Sequence, residues 1–493
     1  AALPPPCAMA AALGAGWTVV LAEDGTLHAC GRGDSGQLGL NSREHRLQPA
    51  RVGGAELPGG APVVLVAAGG SHWAAVLEDG AVLTCGFNGF GQLGHGDTQD
   101  RLHPARLELP VFGGARVVLV ACGEYHTLAV TGGGRVYSCG GNHEGQLGHG
   151  NTTSSQVFTL VDAAHFEGAS IVMAACGSEH SVAATAEGDV FTWGAGKYGR
   201  LGHNDEQRRL APEKLGRWQF GGGKVVLVAA GFAHTVALAE GGVLWVWGYG
   251  ICGQLGLGDT NNRLVPTLLG AGEVFGGSLV RMAACGYFHT LVVTVAGSVW
   301  TWGEGTGGKL GITDQQNRTT PMLVGPEHFA GASVATVAGG YDHSAAVTEG
   351  GALYTWGKGE ASYPGSQQAP GGLGHADLAD RLVPTPVSPR LLGGARVGRC
   401  HGLAEEHALA FAMGTHARLG AGTGGAAVGG RRRSRRVQGK APAGEEEGRG
   451  CAYAEMAGEL VKQVVEACRW EAGREVGEGV ARLMGGGRLG AGP

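Results

Sequence analysis

Short apolar runs broken by glycine recur along the whole chain, and residues 224–267 show the unit best. KVVLVAAG is an apolar run of strand length, and HTVALAEGG alternates and ends in a turn signal. VLWVWG is β-branched and aromatic, and the glycine-rich loop QLGLGDTNNR then leads into LVPTLL. This pattern predicts three or four short strands with turn residues between them. No segment of the unit keeps a 3.6-residue apolar period, so no crossover helix is expected.

The unit repeats. The Leu of GQLG or a close relative falls at 38, 93, 147, 201, 255, 310 and 373, in steps of 55, 54, 54, 54, 55 and 63 residues. A Gly-x-x-His phrase keeps the same step, at His72, His126, His180, His234, His289 and His343. Seven copies with two anchors in phase specify a repeat architecture. Four strands per copy predict an all-β fold, a seven-bladed β-propeller whose radial closure leaves only short edges. The repeats fall near 9–61, 62–115, 116–169, 170–223, 224–277, 278–331 and 332–393, within a propeller spanning 1–412. A partial eighth unit at 394–412 contains His407, while the first unit has Trp17 at the His position and a poor first strand. C-terminal strands are therefore expected to complete a blade begun by the N-terminal segment.

Composition narrows the function classes. Glycine supplies 96 of 493 residues, yet 43% are hydrophobic, which argues against disorder in the repeat. A net charge of −5 excludes a chain-wide electrostatic nucleic-acid binder. No apolar run reaches the roughly 18–20 residues of a membrane span, and the first twelve residues carry no Lys or Arg, which argues against a secretory signal. The eleven Cys form no C-x-x-C pair. Cys122, Cys176 and Cys285 share the phrase AACG, and Cys30, Cys85 and Cys139 each precede a Gly, the pattern of small buried residues rather than metal ligands or disulfides. An intracellular, reducing compartment follows, cytoplasmic or nuclear, and no metal, cofactor, membrane or small-molecule substrate is expected.

GRGDSGQLG at 31–39 matches the glycine pattern of a dinucleotide-binding turn and contains Arg32-Gly33-Asp34. Four copies match that pattern, and each is followed by more turn rather than the helix an anion site requires, so nucleotide binding is excluded. The third residue of the phrase is Gly33, Gly196, Gly250, Gly305 or Gly359 in five copies and Asn88 or Asn142 in two. Gly and Asn share tolerance of positive φ, which predicts a left-handed turn there. The repeated His sit one per blade, too far apart to converge on a metal at the roughly 2 Å that zinc demands. They are expected to bond neighbouring backbone at the strand start. Trp193, Trp247, Trp302 and Trp356, each before a Gly, are expected to pack between blades, and the Leu of GQLG to anchor its loop.

The phrase AGFAHTVALAEGGVLWVWGYGICGQLGLGDTNNRLVPTLL closely resembles the repeat of the RCC1 (regulator of chromosome condensation) family, and the resemblance covers about residues 9–412. It implies a seven-bladed propeller. The family includes a nuclear exchange factor for a Ran-type GTPase, a plant UV-B photoreceptor, ubiquitin-ligase modules and adaptors. The resemblance therefore implies a regulatory interaction module without catalytic chemistry of its own. In the exchange factor, acidic and His residues of the Gly-x-x-His turns face the GTPase. Here those turns carry Glu124, Tyr125, Glu179, Phe232, Tyr287, Phe288, Tyr341 and Asp342, with Ser71, Ser178 and Ala233 between them. Aromatics ringed by carboxylates suit a protein partner with a basic surface. Guanine-nucleotide exchange on a small Ran-like GTPase is the first expectation, and a non-catalytic adaptor or chromatin scaffold the alternative.

Two departures bear on that choice. The photoreceptor's chromophore is a Trp cluster directly after the Gly of consecutive turns, where this chain has Phe232, Tyr287 and Tyr341. A UV-B photoreceptor role is therefore the least expected. The exchange factor carries an inserted wedge after one Trp-Gly; this chain has a nine-residue excess at 358–372, in the seventh copy instead.

Beyond 413 the composition shifts to a Gly/Arg-rich linker through 450. Arg431, Arg432, Arg433, Arg435 and Arg436 form a basic cluster that reads as a nuclear-import or nucleic-acid patch, through which chromatin is a candidate partner. Within 451–484, Met456, Leu460, Val461, Val464, Val465 and Cys468 recur at helical spacing and predict a short amphipathic helix.

Overall fold

The computed structural model describes residues 11–397 apart from 54–56, 59, 271, 362–368 and 395–396. Seven four-stranded antiparallel sheets follow one another, and within each the strands pair in chain order, so every blade is a meander. The fifth blade is representative: Val225–Ala230 lies innermost, followed by His234–Ala239, Val243–Gly248 and the outer Arg263–Gly270. The second and third strands pair from His234 opposite Gly248 to Ala239 opposite Val243. The second strand is buried along its whole length in blades 2 to 7, which its continuous Val, Ala, Leu and Thr content permits.

The hydrophobic core lies between blades rather than within them. Trp17, Leu38 and Val66 belong to one cluster between blades 1 and 2, and Leu119, Phe166 and Trp193 to one between blades 3 and 4. Each Leu of the GQLG phrase is buried as expected, from Leu38 to Leu373. A loop anchored by its Leu thus holds its blade to the next one, and every blade depends on two neighbours for its apolar burial.

A feature absent from the sequence reading connects the blades. A four-residue 3-10 turn follows the outer strand, as in Leu109–Phe112, Ala163–Phe166, Arg217–Phe220 and Pro326–Phe329. Each ends in a buried Phe, and Phe166 packs edge-on to Trp193 with ring centroids 5.9 Å apart. The phrase Phe-Gly-Gly at 112, 220 and 275 was the available signal.

At the seam, the first blade carries four strands of its own, with Ala11–Leu13 innermost. Ala11, Leu13 and Val20 pack with Ala345, Val347 and Leu353 of the seventh blade and with Val397. The closing strands expected at 394–412, including His407, lie beyond residue 397 for all but their first residues and outside the described residues. The linker, Arg431 to Arg436 and the 451–484 helix also lie outside them.

Candidate functional site

The Gly-x-x-His turns meet around the central channel, and two concentric girdles of hydrogen bonds hold them. The first is backbone. Ala15 N–H donates to Gly70 O, Gly70 to Gly123, Glu124 to Ser178, Ser178 to Phe232, Phe232 to Tyr287, Tyr287 to Gly340 and Tyr341 to Gly14, at 3.0 to 3.4 Å. Every blade is thereby tied to the next, and Tyr341 to Gly14 closes the ring.

The second girdle is made by the repeated histidines. Their Nε2 atoms lie 2.8 to 3.1 Å from a hydroxyl of the following blade: His72 to Thr127, His126 to Ser181, His180 to Thr235, His234 to Thr290, His289 to Ser344 and His343 to Thr18. The expectation that these His bond neighbouring backbone is corrected, because the partner is a side chain one blade away. Backbone enters one step later, since Thr127, Ser181, Thr235, Thr290 and Ser344 each donate their hydroxyl to a loop carbonyl of the preceding blade. A hydroxyl that donates there must accept from the imidazole, which assigns the proton to Nε2. Burial holds His72, His126 and His234 down to about 3 and His343 to about 4, so all stay neutral. Blade 1 substitutes Trp17, whose Nε1 donates to Gly70 O at 3.0 Å.

The glycine of the phrase is needed because the imidazole occupies its side-chain space: a Cβ on Gly177 would lie 2.1 Å from His180 Cε1. The Trp residues meet the same carbonyls as the hydroxyls, with Trp193, Trp247, Trp302 and Trp356 donating to Gln146, Arg200, Gln254 and Lys309. Cys139 takes that place against Gln92 O at 3.3 Å. Burial raises the Cys30 and Cys122 thiols to about 12, as inert packing residues require.

The third position of the GRGDSGQLG phrase is also corrected. Gly196 has φ −96° and Gly305 φ −97°, while the left-handed residues are the flanking glycines such as Gly248 (φ 100°) and Gly253 (φ 83°). Close approach is the reason for glycine: a Cβ on Gly196 would sit 1.9 Å from Gln207 O, and on Gly250 2.1 Å from Asn261 O. Asn solves the same loop differently. Asn142 Nδ2 donates to Asn151 O and Thr153 O, and its Oδ1 accepts from Leu147 N–H. Arg32 is buried and donates to Ser71 Oγ, so the Arg32-Gly33-Asp34 tripeptide is not displayed.

All eight mouth residues singled out from sequence sit half-buried on this one face. Phe232, Tyr287 and Tyr341, from three consecutive blades, form a stack with centroids 4.3 and 3.9 Å apart and rings inclined by 34° and 30°. Phe288 packs against both Phe232 and Tyr287 and continues to Tyr249 and Tyr198. On the far side Phe87, Phe90 and Tyr125 make a second aromatic group. Tyr198, Tyr249, Phe87 and Phe90 come from the GQLG loops and were missed; the signal was the same one, positions that differ between copies of a constant phrase.

Charge is interleaved with the rings. Burial, with Glu144 and Glu124 nearby, raises the Glu179 carboxyl, while Arg200 opposes the rise. Arg200 stands where other copies have Gln; its Nη1 is 3.8 Å from Glu179, and its guanidinium lies 5.7 Å from the Phe232 ring. Buried Lys309, at the equivalent position, bonds Glu304 and Asp342, both at 2.7 Å. Asp342 is therefore a structural ion-pair partner as well as a rim residue. The seven turns together line a cavity of about 120 Å³ at the channel, to which Ala15, Gly70, Glu124, Ser178, Phe232, Tyr287 and Tyr341 each contribute from one blade.

The inserted loop of the seventh copy begins as a short ribbon, with Ala361 N–H donating to Ala369 O and Gly371 N–H to Gly359 O; its middle lies outside the described residues. Among the described residues, no helix is long and apolar enough to cross a membrane, and no three His, Cys, Asp or Glu side chains gather as a metal site.

Comparison with known proteins places this architecture. The RCC1-like domain family model matches residues 5–219 and 57–410. The ultraviolet-B receptor UVR8 of Arabidopsis thaliana is 34% identical over 394 residues, covering 80% of this chain and 84% of that protein. The human E3 ubiquitin-protein ligase HERC2 is 33% identical over 344 residues, 69% of this chain, which spans only 7% of that protein. Among solved structures, human WBSCR16 is 27% identical with a TM-score of 0.63, covering 74% of this chain and 94% of that one. Prp20p of Saccharomyces cerevisiae, described with its binding to Gsp1p and histones, is 25% identical with a TM-score of 0.63, covering 73% and 85%.

Proposed function

The chain belongs to the RCC1-like domain family, and from that premise we propose that its propeller is a protein-interaction and regulatory module that engages its partner through the turn face at the channel mouth. The observation that carries this reading is the joined aromatic surface from Tyr341 through Tyr287, Phe232 and Phe288 to Tyr249, interleaved with Glu124, Glu179 and Glu304. Aromatic area bordered by charge is the composition of a protein-binding hot spot. Its carboxylates favour a partner with a basic contact surface.

The finer reading is guanine-nucleotide exchange on a small Ran-like GTPase. Support comes from the likeness to Prp20p, a protein described with its binding to Gsp1p. Exchange works by deforming the partner's nucleotide site, so it needs contact geometry rather than acid–base groups; with the histidines of these turns buried, the half-buried aromatics and carboxylates beside them would make that contact. The assay is release of a fluorescent guanine nucleotide from a panel of Ran- and Rab-like GTPases. No acceleration across the panel removes this reading.

The second reading is a non-catalytic adaptor or chromatin-associated scaffold. It is favoured by the position of the inserted loop in blade 7 and by the description of Prp20p with histones. Deleting 431–436 would then abolish chromatin retention at low salt. Retention that survives the deletion refutes the tail's part in it.

A further inference from the structure

The face opposite the mouth is built from the hairpins that join second to third strands and from the 3-10 turns that lead into the next blade. Charges occupy fixed places on it. One is the hairpin residue whose N–H donates to the residue before the first strand; it is Glu78, Glu240 and Glu349 in blades 2, 5 and 7. In blade 5 the acceptor is Lys224, whose side chain lies 3.8 Å from the Glu240 carboxylate. Another place is the outer-strand residue beside the hairpin. There Arg106 in blade 2 and Lys214 in blade 4 contact Asp79 and Asp189 at 2.6 and 3.1 Å.

Blade 6 has no charge at any of these places. Val295 N–H donates to Leu279 O, so the residues that are Glu240 and Lys224 one blade back are Val295 and Leu279 here. Leu323, opposite Trp300, stands where Arg106 and Lys214 stand opposite Leu83 and Phe191. Ala296 and Ser298 replace Asp79 and Asp189. Blades 3 and 5 also have Leu at the outer-strand place, Leu160 and Leu268, but only blade 6 joins it to an apolar hairpin. The exchange buries nothing, since Leu279, Val295 and Leu323 are 47%, 64% and 45% exposed. It gives up charge contacts and leaves apolar surface in water, which is the mark of a surface used by something else.

Between this hairpin and the turn Pro326–Phe329 lies a cavity of about 130 Å³. Ala296, Val299, Leu323, Pro326 and Phe329 supply its apolar lining, and Ser298 and Ser333 also contribute. An apolar cavity of roughly 150 Å³ holds a benzene, so one large apolar side chain fits here. The rim is acidic. Glu240, Glu273 and Glu327 are exposed around it. Glu240 belongs to the hairpin whose Gly242 abuts Leu279, Glu273 to the turn before Leu279, and Glu327 to the turn that walls the cavity. Two neighbouring cations, Lys224 and Arg281, each already meet a carboxylate, Glu240 and Glu349.

We propose that this strip of blade 6 is a second interaction surface, separate from the mouth. It takes a segment of a partner protein that sets one large apolar side chain in the cavity, between flanking Lys or Arg residues. The exposed strip and the cavity call for the apolar anchor, and the acidic rim calls for the flanking cations.

The test uses the full chain with methyl-labelled Leu and Val, titrated by NMR with three capped peptides, Arg-Ala-Leu-Ala-Arg, Arg-Ala-Ser-Ala-Arg and Glu-Ala-Leu-Ala-Glu. The first is expected to shift the Leu279, Val295 and Leu323 methyls and to bind about tenfold tighter than either other. Leu279→Lys with Val295→Glu reproduces the Lys224 and Glu240 pair that the fold already carries in blade 5, and should weaken the first peptide about tenfold. Val295→Glu alone separates anchor from charge. Attraction to the cations by itself would tighten binding, whereas loss of the apolar strip weakens it. Melting temperatures are recorded alongside; should either variant fail to fold, Leu323→Arg, the blade 2 residue at that place, decides with the same expected loss. Equal binding of the Leu and Ser peptides, no shift at the three methyls, or tighter binding by Val295→Glu overturns the proposal. Methyl shifts that follow protein concentration alone assign the strip to a second copy, and shifts caused by Leu460→Asp assign it to the chain's own tail. Either result overturns the partner segment.

Discussion

Mild acid should open this propeller, and the six neutral histidines set the pH. Each is fully buried, and its Nε2 is hydrogen-bonded to a hydroxyl of the next blade. Burial holds His72, His126 and His234 down to about 3, and His343 to about 4, against an unfolded value near 6.5. His180 and His289 are shifted in the same direction. A lowered folded pKa means that the unfolded chain binds the extra protons, so stability is intact above about 6.5 and is lost as the pH falls toward 3. At pH 5 each such group costs about 2 kcal/mol, and the four with a stated value together about 8 kcal/mol. That is comparable to the ~5–15 kcal/mol of a typical domain. The paired aspartates, such as Asp97 and Asp205, have carboxyls below their usual range and lose their contribution only at lower pH. The window from 6.5 to 4 therefore reports histidine. Urea unfolding at several pH values, followed by circular dichroism, should give a slope of four or more protons bound on unfolding near pH 5. A slope below two, or a stability at pH 5 within about 2 kcal/mol of that at pH 7.5, would refute the account.

Removing one link of the girdle should be measurable by itself. Thr290→Val leaves the His234 Nε2–H and the Gln254 carbonyl without that hydroxyl, at a cost of about 1–3 kcal/mol in urea unfolding; an unchanged midpoint would place the stabilisation elsewhere. Gly231→Ala puts a Cβ 2.3 Å from His234 Cε1 and should destabilise far more than Gly133→Ala, which meets nothing within 4 Å. Comparable melting temperatures for the two would show that the imidazole can move aside. Asp342→Asn deprives the buried Lys309 of one of two carboxylates and should cost roughly 3 kcal/mol. Glu124→Lys with Glu179→Lys, by contrast, should weaken partner capture with little change in thermal stability. If the double reversal unfolds the chain, these two residues are structural rather than recognition residues.

The sequence alone determined the architecture, because the evidence for it is periodic. Two anchors on one 54-residue step leave few folds, and alternation within each copy places the buried strands. It also singled out residues that the fold brings together, since Tyr287 and Tyr341 stand out only against the Gly and Ser of sister copies and stack on one another at the channel face. What it could not determine is which repeated residues touch across blades. His72 and Thr127 are 55 positions apart, a contact that exists only because closure sets one blade beside the next. The same holds for Gly196, which is glycine because a carbonyl eleven residues later crosses its Cβ position, not because its own φ demands it. Arg200 and Lys309, which replace Gln in the repeated phrase, are both buried, one beneath an aromatic ring and one between two carboxylates. A local pattern fixes what each segment of chain becomes; the neighbours a side chain meets are fixed only once seven such segments close into a ring.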